Sequence, residues 1–429
     1  MINLEKGSSK LLNAWAFYDW ANSVYTLVIA STIFPIFYGV LFREKGIEAI
    51  QLFGFLIRSE ALIPYVTAIG FLIIAFISPL LSGIADYLGN KKFFLQLFCY
   101  IGSFSCMSLY FFSLENIVFS LVTYMLALIG YWGSLVFYNS YLPDIAHIEQ
   151  QDEISAKGYG LGYAGSVILL LICLIMVMFV EDTHKIQMMR LSFLLVGIWW
   201  IAFSQYSYRY LPNSKNENKL HKNVILNGFR ELLKVWKQIK QILPLKSYLL
   251  AFFVFSMAVQ TIMIIAAYFG EKEVNWGNDD SRTIGLIVSI LVIQIVAIFG
   301  ALLTSRLVFK YGNIKVLMLL NFLWILICSY AYFVITPTDF YIAAFFVGLV
   351  MGGIQTLSRS TYSKFIPAET TDTTSFFSFY DVAEKIGIVI GMFTYGFIAD
   401  ITGKIQNAIL FLILFFVVGL LLLLRVPKN

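Results

Sequence analysis

Five ionisable side chains lie inside long apolar runs of this sequence: Asp19, Arg359, Asp381, Glu384 and Lys385. A charge at the centre of a membrane helix costs about 2.5–3.5 kcal/mol on insertion scales, so such a residue needs a partner of opposite charge or a wet cavity. Groups of this kind exchange partners or carry protons in membrane transport. We therefore take these five residues as candidate gating and coupling groups.

The sequence leaves more than one pairing of these charges open. Arg359 is expected to pair with Glu384 or Asp381 when the cytoplasmic side is shut, and to lose that partner when it opens. Alternatively, Asp381 and Lys385 stand one helical turn apart and satisfy each other. Asp19 has a structural alternative as well, because free N–H groups and the helix dipole favour an acid in a first turn. Desolvated carboxylates bind protons more readily than exposed ones, which makes Asp19 and Glu384 the candidate proton carriers.

The elements that must position these charges are membrane helices. The chain has 429 residues, of which 59% are hydrophobic and only 13% are charged, too apolar a composition for a water-soluble core. Apolar runs of about 20 residues are long enough to cross a bilayer, whereas a barrel would show alternating segments of about ten. We predict an all-α polytopic fold with twelve transmembrane helices in two six-helix lobes, at 18–42, 61–84, 93–113, 117–141, 160–180, 189–211, 247–270, 283–308, 314–335, 339–363, 375–399 and 406–425.

The distribution of Lys and Arg predicts that both termini are cytoplasmic. With that orientation only eight of the 30 basic residues lie on the side away from the cytoplasm: Arg43, Lys45, Arg58, Lys185, Arg190, Lys272, Arg282 and Lys404. Lys385 lies within a predicted helix and is counted on neither side. Basic residues concentrate in cytoplasmic loops, so the excess charge reflects topology and does not indicate nucleic acid binding. The compact loops favour a bacterial cytoplasmic (inner) membrane, with a vacuolar membrane as the alternative.

A basic segment divides the chain. We predict an N-terminal six-helix lobe at 1–211, a linker at 212–246 and a C-terminal six-helix lobe at 247–429. Apolar residues at helical spacing predict an amphipathic helix in the linker: Ile225, Phe229, Leu232, Trp236, Ile239 and Leu243. The linker's basic residues are Lys215, Lys219, Lys222, Arg230, Lys234, Lys237, Lys240 and Lys246. We expect this helix to lie on the cytoplasmic leaflet and to bind membrane lipids; the alternative is a soluble helix packed under the bundle.

The two halves of the chain also resemble each other. LSGIADYLGNKKFF aligns with TSRLVFKYGNIKVL at an offset of 223, and FYNSYLPD aligns with STYSKFIP at an offset of 224. The matched pairs include Gly89 with Gly312, Asn90 with Asn313, Tyr138 with Tyr362 and Pro143 with Pro367. Two matches at nearly one offset predict parallel repeats, an arrangement that suits alternating access around a site at the midplane.

The 6+6 layout and the stretch GIADYLGNKK resemble the major facilitator superfamily. The superfamily's cytoplasmic loop motif is filled here by Gly83, Asp86, Gly89, Lys91 and Lys92, while Tyr87 departs from the usual basic residue. The resemblance implies that Asp86 bonds neighbouring helix ends and steadies an outward-facing state. Because Phe309 stands at the matching position of the second half, we expect this latch on one side only.

Three longer blocks resemble the unknown-major-facilitator family, which includes the vacuolar amino-acid effluxers associated with autophagy. They are FYDWANSVYTLVIASTIFPIFY, GGIQTLSRSTYSKFIP and FFSFYDVAEKIGIVIG. The chain departs from the family pattern at Met257 and Ala258, where an Asp-Gly pair is usual, and at Met392, where proline is usual. Efflux as the direction and amino acids as the solute are what this resemblance implies.

Uncharged polar residues inside the helices offer a surface for a solute. Side-chain amides both donate and accept hydrogen bonds, which suits a zwitterion, although such residues also hold membrane helices together. The candidate substrate path consists of Asn22, Ser23, Asn139, Gln260, Gln294 and Gln355.

Together these features predict a secondary active transporter that moves a small solute by alternating access, coupled to protons or another ion, and working as a monomer. A non-transporting scaffold or a lipid-moving protein of the same fold is the alternative. We expect no cofactor and no metal, because the histidines lie in separate loops and the cysteines inside apolar spans. No nucleophile motif or phosphate loop indicates an enzyme.

Overall fold

The computed structural model describes residues 4–52, 54–213 and 224–427. Over these ranges it has twelve helical spans long and apolar enough to cross a membrane, which confirms the predicted all-α class and the number of spans. The helices of the first half are α1 (Ser9–Asn22), α2 (Ile33–Lys45), α3 (Ser59–Leu88), α4 (Lys91–Ser108), α5 (Ile117–Asn139), α6 (Leu142–Ile145), α7 (Gln151–Met178) and α8 (Asp182–Tyr210). Those that follow are α9 (Val224–Gln241), α10 (Leu243–Glu273), α11 (Asp279–Tyr311), α12 (Asn313–Ala331), α13 (Pro337–Phe365), α14 (Thr373–Thr402) and α15 (Ile405–Leu423).

An even number of spans brings both ends of the described chain to one face of the bundle, which we name the terminal face. The tight turns after α3 and α11 lie at this face. Gly89 and Gly312 make these turns at φ of 67° and 80°, a backbone region that glycine adopts without steric cost.

The first span begins earlier than its apolar run. The run starts at residue 18, whereas the helical span extends from Ser9 to Lys45, because Leu11, Leu12 and Trp15 are buried and hold the extra turns against the bundle. Asp19 therefore lies well inside α1, and its interpretation as a first-turn acid is wrong. A π-helical stretch at Tyr25–Thr32 separates α1 from α2, and such stretches are common near functional sites.

A short hairpin follows α2 on the opposite face. The strands β1 (Ala49–Leu52) and β2 (Phe55–Arg58) pair antiparallel, with Ala49 opposite Arg58. Apolar periodicity does not predict this hairpin, because the strands are short and lie in a loop between two much longer apolar runs.

Burial divides the bundle into two hydrophobic clusters. The first takes its buried residues from the segment between Leu11 and Leu211, with Ile388 as the one described member from the second half. The second extends from Val235 to Val426 and includes Tyr163 from the first half. Each half thus buries its own core, as repeated units do. The predicted lobe boundaries at 211 and 247 stay a prediction, and α9 contributes side chains to the second cluster.

The linker helix forms as predicted, although Lys215, Lys219 and Lys222 lie outside the described residues. One side of α9 packs under the bundle: Val235 and Ile239 are buried. Phe229 and Trp236 of the predicted stripe are exposed instead. The helix therefore has two apolar surfaces where the spacing indicated one.

Candidate functional site

Arg359 is the centre of a buried polar group that joins the two halves. It lies in α13, six residues before the helix ends, and is only 1% exposed. Its Nη1 lies 3.1 Å from Oδ2 of Asp19 and 3.3 Å from Oδ1 of Asn139. Its Nε and Nη2 donate to the side chain and the carbonyl of Ser155, at 3.0 and 2.9 Å. We name Asp19, Tyr138, Asn139, Ser155 and Arg359 the arginine cluster.

Aromatic rings surround this guanidinium. Its carbon lies 4.7 Å from the ring centre of Trp15, 5.5 Å from that of Tyr138 and 4.1 Å from that of Tyr159, distances at which ring faces attract a cation. Tyr138 also donates to Oδ2 of Asp19 at 2.8 Å. One cation and one carboxylate, both with hydrogen-bond partners, leave the arginine cluster electrically neutral.

Close approach of α7 to α1 makes this arrangement possible. A Cβ added at Gly158 would lie 2.5 Å from Oδ2 of Asp19, and one added at Gly162 would lie 2.4 Å from Oγ of Ser23. Any side chain at Gly158 would therefore push the carboxylate away from Arg359.

A second buried group forms around Lys385 in α14. Lys385 is paired with both Asp381 and Glu384, with its Nζ 3.1 Å from Oε2 of the latter. Gln260 in α10 donates to Glu384 at 2.7 Å, and Ser78 in α3 donates to Asp381 at 3.4 Å. We name Ser78, Gln260, Asp381, Glu384 and Lys385 the lysine cluster. Its two carboxylates share one cation, so its net charge is −1 when all three groups are ionised.

The structure corrects the expected pairing of Arg359. Its ionic partner is Asp19 rather than Glu384 or Asp381, because the guanidinium extends across to the first half near the terminal face. Asp381 and Lys385, four residues apart on one helix, satisfy each other, which was the alternative.

A small cavity lies between the two clusters. Tyr159, which touches the guanidinium of Arg359, lines one side of it, and Glu384 of the lysine cluster lines another. Its remaining lining combines amide, hydroxyl and aromatic groups, from Phe252, Phe255, Ser256, Val259, Gln260, Ile354, Gln355, Ser358 and Tyr380. Polar and apolar groups thus converge on this cavity, whose volume in this closed structure is only about 20 Å³.

The residues predicted for the substrate path are therefore divided among different places. Gln260 and Gln355 line the cavity, and Asn139 belongs to the arginine cluster. Asn22 is fully buried beside Ser23, and among the described residues its Nδ2 has no hydrogen-bond partner. Gln294 is half-buried in α11 and belongs to neither cluster.

The loop motif binds the start of α14 as expected. Oδ2 of Asp86 accepts from the backbone N–H of Ser375 at 2.6 Å, and its Oδ1 accepts from that of Thr374 at 3.3 Å. This confirms that Asp86 bonds a neighbouring helix end. Lys91 forms an ion pair with Asp144 and donates to Oγ1 of Thr373 at 3.2 Å. Its neighbour Lys92 donates to the carbonyl of Leu211 at 2.9 Å.

The latch is not one-sided. Phe309, at the position that matches Asp86, is 70% exposed, and its ring cannot accept hydrogen bonds as the carboxylate of Asp86 does. A different residue joins the halves at the matching place, because Asp152 in the first turn of α7 is paired with Lys364 of the second half. Asn313 also donates to Asp152 at 2.7 Å.

Sequence reasoning missed Asp152, although the repeat contained the signal. Adding 223 to Gln151, the first residue of α7, gives Thr374 at the start of α14, so the two helix starts are equivalent. Asn313 is in turn the repeat partner of Asn90. Ser155 was missed for a different reason, because a single serine in a membrane helix carries no pattern.

All of these bonds between the halves lie in the part of the bundle next to the terminal face. Ser78 lies deepest, ten residues before α3 ends at Leu88, which is about 15 Å along the helix. Polar contacts thus close the terminal face in this structure.

Comparison with known proteins agrees with this architecture. Residues 7–429 match the family described as vacuole effluxer Atg22 like. The chain belongs to this family. An uncharacterized MFS-type transporter of Bacillus subtilis, YxiO, is 32% identical, and the match covers 99% of this chain and 96% of that protein. Autophagy-related protein 22 of Pichia angusta is 22% identical, covering 94% of this chain and 89% of the relative.

Among solved structures, the proton:xylose symporter XylE superposes with a TM-score of 0.70 at 11% identity, covering 97% of this chain and 95% of that one. At such low identity the likeness shows the fold alone. The Atg22-like chain is therefore an integral, multi-pass membrane protein with the major facilitator fold, and a transporter rather than an enzyme.

Proposed function

We propose that this Atg22-like transporter moves a small zwitterionic solute, of the amino-acid class, by alternating access in the efflux direction. The bond between Arg359 and Asp19 carries the proposal, since it joins the halves on the terminal side of the cavity. For a solute to enter the cavity through the terminal face, this bond must break. Alternating access is then the exchange of the arginine cluster between a bonded and a separated state.

The solute class follows from the cavity lining. The amides of Gln260 and Gln355 both donate and accept hydrogen bonds, which suits the two charged groups of a zwitterion. In this structure the cavity has room for little more than one water molecule, so we propose that it widens around the solute when the arginine cluster separates. Its aromatic rings suit an amino acid with a short or apolar side chain. Efflux is also consistent with the family's description as vacuole effluxers.

We further propose that the lysine cluster couples transport to protons. Its second carboxylate has no cation of its own, so binding one proton makes the cluster neutral. The terminal face is the cytoplasmic face in this proposal, because most Lys and Arg residues lie on that side. The membrane is the bacterial cytoplasmic (inner) membrane, and one chain forms the whole transport path.

Counterflow in proteoliposomes tests the proposal. Vesicles loaded with an unlabelled amino acid should accumulate the same labelled amino acid from outside, and an imposed pH gradient should drive net movement without counterflow. A panel of amino acids, sugars and organic anions gives the solute class. Failure with the whole panel, alongside movement of fluorescent lipids between leaflets, would support a lipid-moving protein instead.

A further inference from the structure

The linker helix α9 crosses the end of α3 in backbone contact. A Cβ added at Gly83 would lie 2.1 Å from the carbonyl oxygen of Gly228, and one added at Gly228 would lie 2.9 Å from the backbone nitrogen of Ile84. Two glycines at one crossing let the helix backbones touch. The linker helix is therefore attached to the first half at this point.

The same helix is also attached to the second half. Nζ of Lys234 lies 2.8 Å from Oδ2 of Asp372, a residue that directly precedes α14. This hydrogen bond raises the pKa of Lys234. The ring of Trp236 stacks on Phe379 of α14 with 5.2 Å between centres. The linker helix thus joins α3 to α14, next to the bond that Asp86 makes with the start of α14.

The side of α9 that carries Trp236 is apolar and partly exposed. Leu226, Phe229, Leu233 and Trp236 are between 40 and 50% exposed, and their spacings of three, four and three residues place them on one helical face. We name these four residues the exposed strip. Three exposed cations accompany it: Arg230, Lys237 and Lys240.

We propose that the exposed strip and its cations bind anionic phospholipid in the leaflet at the terminal face, and that this lipid holds the face closed by keeping α9 across α3 and α14. An apolar strip accompanied by Lys and Arg enters the boundary between headgroups and acyl chains, and anionic headgroups add about fivefold in affinity per cation. We infer a membrane lipid as the occupant because α9 crosses α3 five residues before this span ends at the terminal face and carries the complementary charge.

The effect on conformation follows from where α9 is attached. A ligand shifts an equilibrium only by binding one state more tightly. With α9 held at the bilayer surface, α3 and α14 cannot separate without breaking the Gly83 crossing or the pair between Lys234 and Asp372. Only the closed state makes the lipid contact and both attachments together. This inference depends on closure of the face but not on the solute or the coupling ion proposed above.

The first experiment measures lipid contact without any solute. A fluorophore on Leu233→Cys, with the four native cysteines buried, is placed in phosphatidylcholine vesicles with or without phosphatidylglycerol, and quenching by brominated lipid is recorded. We expect stronger quenching with phosphatidylglycerol, and its loss in Arg230→Gln/Lys237→Gln/Lys240→Gln. The matched control, Arg58→Gln/Lys272→Gln/Lys404→Gln, removes three exposed cations elsewhere and should quench like the parent. Equal quenching in both lipids would overturn lipid binding by charge.

The second experiment measures closure. Spin labels on Asn90→Cys and Glu369→Cys, exposed at the terminal face on opposite halves, report the distance across it. Phosphatidylglycerol should raise the ratio of short to long distances by about tenfold, and the triple cation variant should lose this response. Gly83→Ala should favour long distances in either lipid, whereas Gly396→Ala, with nothing within 4 Å of the added Cβ, should not. Lys234→Gln should also favour long distances, and it weakens the attachment of α9 to the second half without a backbone clash. Unchanged distances on adding phosphatidylglycerol would overturn the role in closure.

Discussion

The arginine cluster and the lysine cluster are both buried and both join the two halves, yet their charges balance differently. The arginine cluster sets one cation against one carboxylate and adds three aromatic rings. The lysine cluster sets one cation against two carboxylates. A balanced ion pair that spans the halves suits a gate, because it must break when the halves separate, and breaking it leaves two buried charges without their partners. An excess carboxylate beside a cavity suits a proton site, because its charge can change without breaking the cluster.

Removing Arg359 should have the largest effect. Breaking a buried pair by removing one partner costs about 3–5 kcal/mol, so Arg359→Gln should reduce counterflow by at least about 100-fold. Arg359→Lys keeps the charge but loses the two bonds to Ser155, so its counterflow should lie between that of the parent and that of Arg359→Gln. Arg306→Gln, at an exposed position in α11, is the matched control and should transport normally.

The double variant Asp19→Asn/Arg359→Gln tests whether the two charges act as a pair. With both charges removed, no buried charge is left without a partner, so counterflow should recover by about tenfold or more relative to Arg359→Gln. A double variant no better than the worse single one would show that the two residues act separately.

Neutralising Glu384 should separate exchange from coupling. Glu384→Gln gives the lysine cluster one cation and one carboxylate, like the arginine cluster. We expect pH-gradient-driven transport to be lost while counterflow stays within about threefold of the parent, since exchange needs no net proton movement. Glu271→Gln, exposed at the end of α10, serves as the control. Gradient-driven transport that survives in Glu384→Gln would remove this residue as the proton carrier.

Neutralising Asp152 should have a moderate effect on closure. Asp152→Asn loses the pairing with Lys364 but keeps an oxygen that accepts from Asn313. A hydrogen bond to a charged group contributes about 1.5–3 kcal/mol, so opening should increase by about 10- to 100-fold. The rate at which a maleimide added at the terminal face labels Ser256→Cys in the cavity measures this, with Asp400→Asn on the opposite face as the control. An unchanged labelling rate would mean that the arginine cluster closes the face without help.

Sequence reasoning went furthest where a pattern repeats. The twelve spans follow from apolar length, and the contact of Asp86 with a helix end follows from the loop motif. The partner of Arg359 did not follow, because hydropathy places a residue along a helix but gives no contact between helices distant in sequence. The first span was assigned too short for a related reason: residues 9–17 include polar side chains, and burial of their apolar neighbours determines where that helix begins. The second latch was accessible, because the repeat offset relates the starts of α7 and α14.

The smallest predicted effect compares two glutamines of the same type in different places. Gln260 donates to Glu384 at 2.7 Å and lines the cavity, whereas Gln294 lies half-buried in α11 outside both clusters. A typical hydrogen bond contributes about 0.5–1.5 kcal/mol, so Gln260→Ala should lower counterflow about two- to tenfold, and Gln294→Ala by less than about twofold. If the lysine cluster also sets coupling, Gln260→Ala should weaken the pH-gradient response more than counterflow, because it leaves Glu384 with Lys385 alone. If Gln260→Ala lowers counterflow and the pH-gradient response equally, Gln260 acts in solute binding only. If Gln260→Ala and Gln294→Ala lower counterflow equally, the cavity is not part of the substrate path.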